Sequence, residues 1–310
     1  MRLVFAGTPE FACPSLLALH RAGHELVLVI TQPDRPAGRG LKLNAPVVKE
    51  EALSLDLPVV QPEGMEETTL RRRLEEIAPE AVIVVAFGQK IPGWLLSLPR
   101  FGCLNVHASL LPRYRGAAPI QRALMNGDEV TGVTIMQLDE GWDTGPLLSQ
   151  RVVEIRPDDN AGTLHDRLAV VGAELLVETL AALAEGRISP RPQDEAAATR
   201  APKIRPEEMR IDWRWPAARL HNLVRALAPK PLAETFHGAQ RLQIVEAALA
   251  RPEGEDHPPG TVLAVEGEGI LVATGRGVLR LVRLKPAGGR VMAAADYARG
   301  YRLTPGVVLG

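Results

Sequence analysis

Short, unbroken apolar runs alternate with amphipathic stretches through the first 190 or so residues of this chain. Met1–Ala6 (MRLVFA) ends at Gly7-Thr8-Pro9, a strand running into a turn. Glu10–Arg21 follows with apolar residues at helical spacing, and Gly23 stands where a helix would stop. Glu25–Thr31 (ELVLVIT) is a second strand, so the chain opens as β-turn-α-β, the start of a parallel sheet. The pattern then predicts a helix over Lys49–Leu55, a short strand over Pro58–Gln61 and a charged amphipathic helix over Glu66–Ile77. Ala81–Phe87 (AVIVVAF) is apolar throughout and rich in β-branched residues, as a central strand buried on both faces requires. Cys103–His107, Thr131–Leu138 and Leu147–Val153 read as further strands. Thr163–Leu183 reads as a long helix, with Thr163 as its N-cap and Gly186 as its stop.

The pattern changes after residue 189. Residues 190–205 are rich in Pro, Ala and charge and read as a linker, dividing the chain into domains 1–189 and 206–310. Pro216–Ala228 predicts a helix stopped by Pro229-Lys230-Pro231. Short strands follow over Thr235–Phe236, Arg241–Ala248, Gly260–Val265, Ile270–Ala273 and Val278–Lys285, the pattern of a small barrel. Two domains suit 310 residues. The expected fold is α/β, a Rossmann-like parallel-sheet domain followed by a small OB-like β-barrel. Trp213 and Trp215, near the junction, are expected to pack the second module against the first.

Composition adds an asymmetry. The net charge is only −1, yet residues 1–205 hold 22 basic against 26 acidic side chains, and residues 206–310 hold 14 against 11. Residues 276–302 carry seven basic side chains, among them Arg280, Arg283 and Lys285, with Asp296 as the only acid. A second basic cluster, Arg35, Arg39, Lys42 and Lys49 against Asp34, falls in a stretch from Gln32 to Lys49 that is long for a connection. Both are candidate anion-facing surfaces. Cys13 and Cys103 are too few and too far apart for a zinc or disulfide framework and read as core residues. No apolar run approaches the ~18 residues that span a bilayer. The chain opens straight into a strand without a signal peptide, so a soluble cytoplasmic protein with no membrane partner is expected.

Chemistry concentrates around Asn105-Val106-His107. Two residues apart in a strand, the amide and the imidazole share one face. About thirty residues on, Leu138-Asp139-Glu140-Gly141-Trp142-Asp143-Thr144-Gly145 offers a carboxylate in a Gly-bracketed loop. Ligands of open parallel sheets bind beyond the carboxyl ends of the strands, and that rule is expected to gather Phe87-Gly88, Asn105, His107 and Asp143 at one crevice. Each residue alone is more often structural. Together they suit acyl transfer to an amine. Asn105 and a protonated His107 can donate to an oxygen gaining charge, and Asp143 can hold the imidazolium and take the amine proton. Gly7-Thr8-Pro9 is not G-x-G-x-x-G, so no NAD is expected, and without a cluster of further ligands no metal is expected either.

Asn105-Val106-His107-Ala108-Ser109-Leu110-Leu111-Pro112, with Tyr114-Arg115-Gly116-Ala117-Ala118-Pro119 and the downstream Asp-x-Gly-x-Asp-Thr-Gly, resembles the folate-dependent formyltransferases. One departure is Ala108, where the family carries Gly. The resemblance implies 10-formyltetrahydrofolate as donor and catalytic roles for Asn105, His107 and Asp143. It further implies a folate pocket formed by Phe87, Gly88, Ser109, Leu110, Leu111, Pro112, Asp139 and Gly141. It extends through Phe5–Phe11, the loop Thr31–Gly40, Gly132–Gln137, Arg210-Ile211-Asp212-Trp213 and Pro286-Ala287-Gly288, and so over nearly the whole chain. Within the family, this loop and the basic second domain imply methionyl initiator tRNA as the amine substrate. Arg35, Arg39, Lys42, Arg280, Arg283 and Lys285 would then meet its phosphates, and the chain would work as a monomer. The alternatives are an enzyme formylating a sugar-nucleotide amine, one formylating glycinamide ribonucleotide, and a folate- or RNA-binding module without turnover.

Overall fold

The computed structural model describes residues 1–37, 42–251 and 257–310. The first strands are β1 (Arg2–Gly7), β2 (Glu25–Ile30), β3 (Arg35–Ala37), β4 (Lys42–Asn44), β5 (Val59–Val60), β6 (Ala81–Val85), β7 (Cys103–His107), β8 (Val130–Gln137) and β9 (Leu147–Glu154). Between them run α1 (Cys13–Arg21), α2 (Val47–Ser54), α3 (Thr68–Ile77), α4 (Gly93–Leu96) and α5 (Pro119–Asn126), with α6 (Ala161–Ala184) after β9. The seven-stranded sheet has the order β5-β2-β1-β6-β7-β8-β9. Its strands are parallel from β5 to β7, and β8 and β9 then run antiparallel. The winding reverses between β1 and β6, the point at which open parallel sheets place their crevice beyond the strands' carboxyl ends. Thr8 Oγ1 and Gln32 Nε2 both donate to the Phe87 carbonyl there, at 3.1 and 2.8 Å.

The antiparallel β8 corrects one expectation. Leu104 pairs with Gln137 and His107 with Thr134, so β8 ends beside the start of β7, not beside its end. The strand-end rule therefore does not deliver Asp143 to His107, and the loop after β8 has to be brought back by other means.

Alternation along the strands divides the core. Val4, Ala6, Leu28, Ile30, Val82 and Val84 pack with Leu70 and Leu74 of α3 on one face. The other face meets α6 so closely that a Cβ on Gly172 would lie 2.8 Å from Val106 Cγ1. The N-cap of α6 is Asn160, not Thr163: Asn160 Oδ1 accepts from the backbone N–H of Gly162 and Thr163 at 2.8 and 3.1 Å. Thr163 Oγ1 turns instead to Asp159. The sequence pattern had passed over α5, although Pro119 in its first turn and Gly127 in the left-handed conformation just beyond its end are both helix-end signals.

Contacts divide the described chain into two units. One comprises Met1–Gly116, Val130–Glu154 and His165–Ala201, the other Ala117–Glu129, Ile155–Leu164 and Pro202–Gly310. The boundaries expected at 189 and 206 are modified accordingly. Residues 117–129 and 155–164 join the later unit, and 190–201 belongs to the earlier one. The later unit contains α7 (Ala217–Leu227), β10 (Ala233–His237), β11 (Gln240–Arg251), β12 (Val262–Glu266), β13 (Gly269–Ala273), β14 (Val278–Pro286), β15 (Met292–Ala293) and α8 (Ala294–Tyr301). Its sheet is antiparallel, β10-β11-β14-β13-β12 with β15 on β14, and register shifts along β11 let it curl. Leu220, Leu223, Val224 and Leu227 of α7, with Ala294, Tyr297 and Ala298 of α8, fill the core against Ile244, Val272 and Leu281. Trp213 is part of this core, its Nε1–H donating to Thr235 Oγ1 at 3.0 Å, and Trp215 packs on the same core. Among the described residues no helix is long and apolar enough to cross a membrane.

Candidate active site

β7 is extended, so its side chains alternate. Val106 meets α6, and Asn105 and His107 point to the opposite face. His107 is buried, with 7% of its surface exposed. Its Nε2 lies 3.0 Å from the Tyr114 carbonyl, which can only accept, so Nε2 carries a hydrogen and donates. Its Nδ1 faces Asp143 Oδ1 at 3.7 Å. Both ring nitrogens thus confront acceptors, and with Nε2 tied to the Tyr114 carbonyl, Nδ1 is the edge left available to a substrate oxygen. Asn105 is half-buried, and among the described residues its carboxamide has no protein hydrogen-bond partner. Its donors remain open to whatever enters the crevice.

Asp143 sits in the left-handed region at φ 55°, and its Oδ2 accepts from the Gly116 N–H at 2.8 Å. The loop around it is shaped from within. Asp139 Oδ1 accepts from the Gly141 N–H at 3.0 Å and from Thr144 Oγ1 at 2.7 Å, an Asx turn. A Cβ on Gly145 would lie 2.0 Å from the Gln137 carbonyl oxygen, so the backbone passes there only as glycine.

The segment after His107 is tied to β8. Thr134 Oγ1 donates to the Ser109 carbonyl at 2.7 Å and accepts from the Leu111 N–H at 3.1 Å. The Ser109 hydroxyl is committed to the Arg113 carbonyl at 2.6 Å, and Ser109 and Leu111 are buried. Phe87 is likewise buried, its ring in the core and its carbonyl already bonded. These three back the crevice wall, whereas Gly88, Asp139 and Gly141 are exposed and Leu110 and Pro112 half-buried. Ala108 lies outside the left-handed region, so its methyl group meets no backbone objection.

The basic residues separate as well. Arg35 is exposed on the β3–β4 hairpin, within the stretch expected to be a plain loop; Arg39 lies outside the described residues and Lys42 falls on β4. Lys49 Nζ pairs with Asp34 at 2.7 Å at the hairpin's base. Hydrogen bonds from Gln61 and Lys49 hold the Asp34 carboxyl below its usual range. Arg280 is occupied by Glu266, at 3.2 Å, and by Glu268. Arg283 is exposed and Lys285 half-buried, and among the described residues neither forms an ion pair. Burial pushes the Cys13 and Cys103 thiols up to about 11 and about 12, as core thiols require.

Sequence reasoning missed the groups that hold this site together. Tyr114, at φ 64°, supplies a carbonyl and Gly116, at φ 124°, an N–H; both lay in a quoted motif without an assigned role. Gln193 carried no signal, because its partners are backbone carbonyls 48 and 50 residues away and the Arg115 guanidinium 78 residues away.

Comparison with known proteins identifies the family. The family profile described as "Formyl transferase" matches residues 1–180, and "Formyl transferase, C-terminal domain" matches 203–302. The chain is 52% identical over 307 residues to the methionyl-tRNA formyltransferase of Halorhodospira halophila, covering 98% of each chain. It is 50% identical over 311 residues to that of Thiobacillus denitrificans, covering 100% of each. Among solved structures, HypX from Aquifex aeolicus in complex with tetrahydrofolic acid superposes with a TM-score of 0.68 at 19% identity. That match covers 98% of this chain, which spans about half (48%) of HypX. An N-formyltransferase from Helicobacter canadensis, in complex with folinic acid and dTDP-3-aminofucose, gives a TM-score of 0.65 at 17% identity, covering 91% of this chain and 99% of that one. At such identities these two structures speak for the fold.

Proposed function

This chain belongs to the formyl transferase family, and on that premise we propose that it transfers the formyl group of 10-formyltetrahydrofolate to the amino group of methionyl initiator tRNA. The observation that carries the reading is the juxtaposition of His107 Nδ1 and Asp143 Oδ1 at 3.7 Å beside the Asn105 amide, which has no protein hydrogen-bond partner among the described residues, in a chain that matches relatives named methionyl-tRNA formyltransferase end to end. An amide with open donors in a crevice suits a donor whose reactive group is a carbonyl.

The methionyl nitrogen attacks the formyl carbon, the bond from that carbon to the folate nitrogen breaks, and the product is a formamide plus tetrahydrofolate. Asn105 and the Nδ1–H of His107 donate to the formyl oxygen as it gains negative charge. Asp143 accepts the proton leaving the attacking amine, directly or through one water, and that same proton passes to the folate nitrogen as it departs. No covalent enzyme intermediate is needed. Gly88, Leu110, Pro112, Asp139 and Gly141 are the exposed or half-buried positions along the folate's path. Arg35, Arg39, Lys42, Arg283 and Lys285 meet tRNA phosphates, and the enzyme works as a monomer in the cytoplasm.

The test is formylation of charged initiator tRNA by the purified full chain with 10-formyltetrahydrofolate, read as formylmethionine released from the tRNA. Turnover with tRNA and none with an amino-sugar nucleotide is expected. The reverse preference would sink the tRNA reading and leave the formyl chemistry standing.

A further inference from the structure

We propose that Gln193, in a stretch that reads as a linker, is the positioning residue that sets where the Asp143 carboxylate stands. The inference rests on the reading of Asp143 as proton acceptor. Because β8 is antiparallel to β7, no strand end places Asp143 beside His107. Its own side chain is held by the Gly116 N–H, so the loop through Gly116 and the loop through Asp143 must be kept in register with each other.

One carboxamide does this. Gln193 Nε2 donates to the Asp143 carbonyl at 2.9 Å and to the Gly145 carbonyl at 2.7 Å. Its Oε1 accepts from Arg115 Nε and Nη2 at 3.0 and 2.9 Å. Both donors and both lone pairs are used. Arg115, next to Gly116, is fixed in turn. Glu195 takes its guanidinium at 2.7 and 2.9 Å, and its backbone pairs with Thr199 and Ala201 at 2.9 and 2.7 Å. The strap from Gln193 to Ala201 thus holds Asp143 from its carbonyl side and, through Arg115 and Gly116, from its carboxylate side. Only a carboxamide of this length offers two donors to one loop and an acceptor to the other: glutamate has no donor, and asparagine is a methylene short. Loss of the tie frees the 3.7 Å spacing between Asp143 and His107, and a displacement on the order of 1 Å costs about 10²-fold in rate.

The experiment is steady-state kinetics of the full-length Gln193→Glu and Gln193→Met variants, alone and combined with Asp143→Asn. Each single Gln193 variant is expected to lower kcat by about 10- to 100-fold, with both KM values within about threefold. In the Asp143→Asn background the same change should cost less than about twofold, because the residue it positions is already disabled. A merely structural role would leave the two losses multiplicative. Multiplicative losses, or a kcat within about threefold of native while Asp143→Asn is crippled, would overturn the proposal. So would failure of both Gln193 variants to fold, which would assign the amide to stability instead. Native turnover in Asp143→Asn itself would instead remove Asp143 from the chemistry, and the positioning role with it.

Discussion

The Gly116 N–H holds one oxygen of Asp143 at 2.8 Å while the other faces the imidazole of His107 at 3.7 Å. One oxygen is anchored to backbone and the other is left for chemistry. Asp143→Asn keeps the size of the side chain and removes its ability to accept a proton. It should lower kcat by about 10²- to 10⁴-fold, the span typical of general acid–base catalysis, with little change in folding. Single-turnover formylation measures this, and native turnover would exclude the role.

His107 is tethered at Nε2 by the Tyr114 carbonyl, so only Nδ1 can serve the reaction. His107→Ala should cost about 10²- to 10³-fold in kcat, as removal of one oxyanion donor does. It should also cost roughly 1–3 kcal/mol of stability, because the buried Tyr114 carbonyl loses its partner. Activity and a urea unfolding curve on the same preparation separate the two effects. A loss in stability alone would make the ring structural.

Gly116 is required on two grounds. Its φ of 124° suits no side chain, and a Cβ would lie 2.7 Å from the Ala201 carbonyl oxygen. Gly116→Ala should therefore cost about 1–3 kcal/mol and lower kcat as well, since the N–H that holds Asp143 must move. Thermal unfolding of a variant as stable as the native chain would contradict the strain argument.

In the later unit, the Arg122 guanidinium lies 2.6 Å from Glu208 and holds that carboxyl down to about 2, below its ordinary 4.5. A carboxyl depressed in the folded state stabilises fully above pH 4.5 and loses that contribution as the pH falls from 4.5 through about 2. The stability gap between the native chain and Arg122→Met should shrink over that window. Urea titrations at successive pH values test it. A gap independent of pH would mean that the pair is not the source.

Arg280 differs from its neighbours on β14 because Glu266 and Glu268 already neutralise it. Arg283→Ala and Lys285→Ala should each weaken tRNA binding and reduce the slope of log affinity against log salt by about one, whereas Arg280→Ala should change that slope little. Filter binding at several salt concentrations measures the slopes. Equal effects of the three would argue against the ion-pair account.

Periodicity and spacing were enough to locate most strands. AVIVVAF is a central strand because nothing else buries such a run, and Asn105 and His107 share a face because a strand alternates. The motif, the two-part architecture and the family resemblance were legible for the same reason: each depends on residues close together in the chain. α8 was not, because Ala294, Tyr297 and Ala298 form an apolar stripe too short to stand out within a basic stretch. Nor was the direction of β8, since alternation along a strand is the same whichever way its neighbour runs. That direction decides the site. It leaves Asp143 undelivered by any strand end, so its place depends on Gly116, on Tyr114 and Arg115 beside it, and on a strap that local composition marks as a linker. By itself the sequence determined which side chains could carry formyl transfer. Only the tertiary structure decided that they meet, because the ties run through backbone N–H and C=O groups, of Tyr114 to His107, of Gly116 to Asp143 and of Asp143 to Gln193, 7, 27 and 50 residues apart, and those groups carry no side-chain identity to be read in advance.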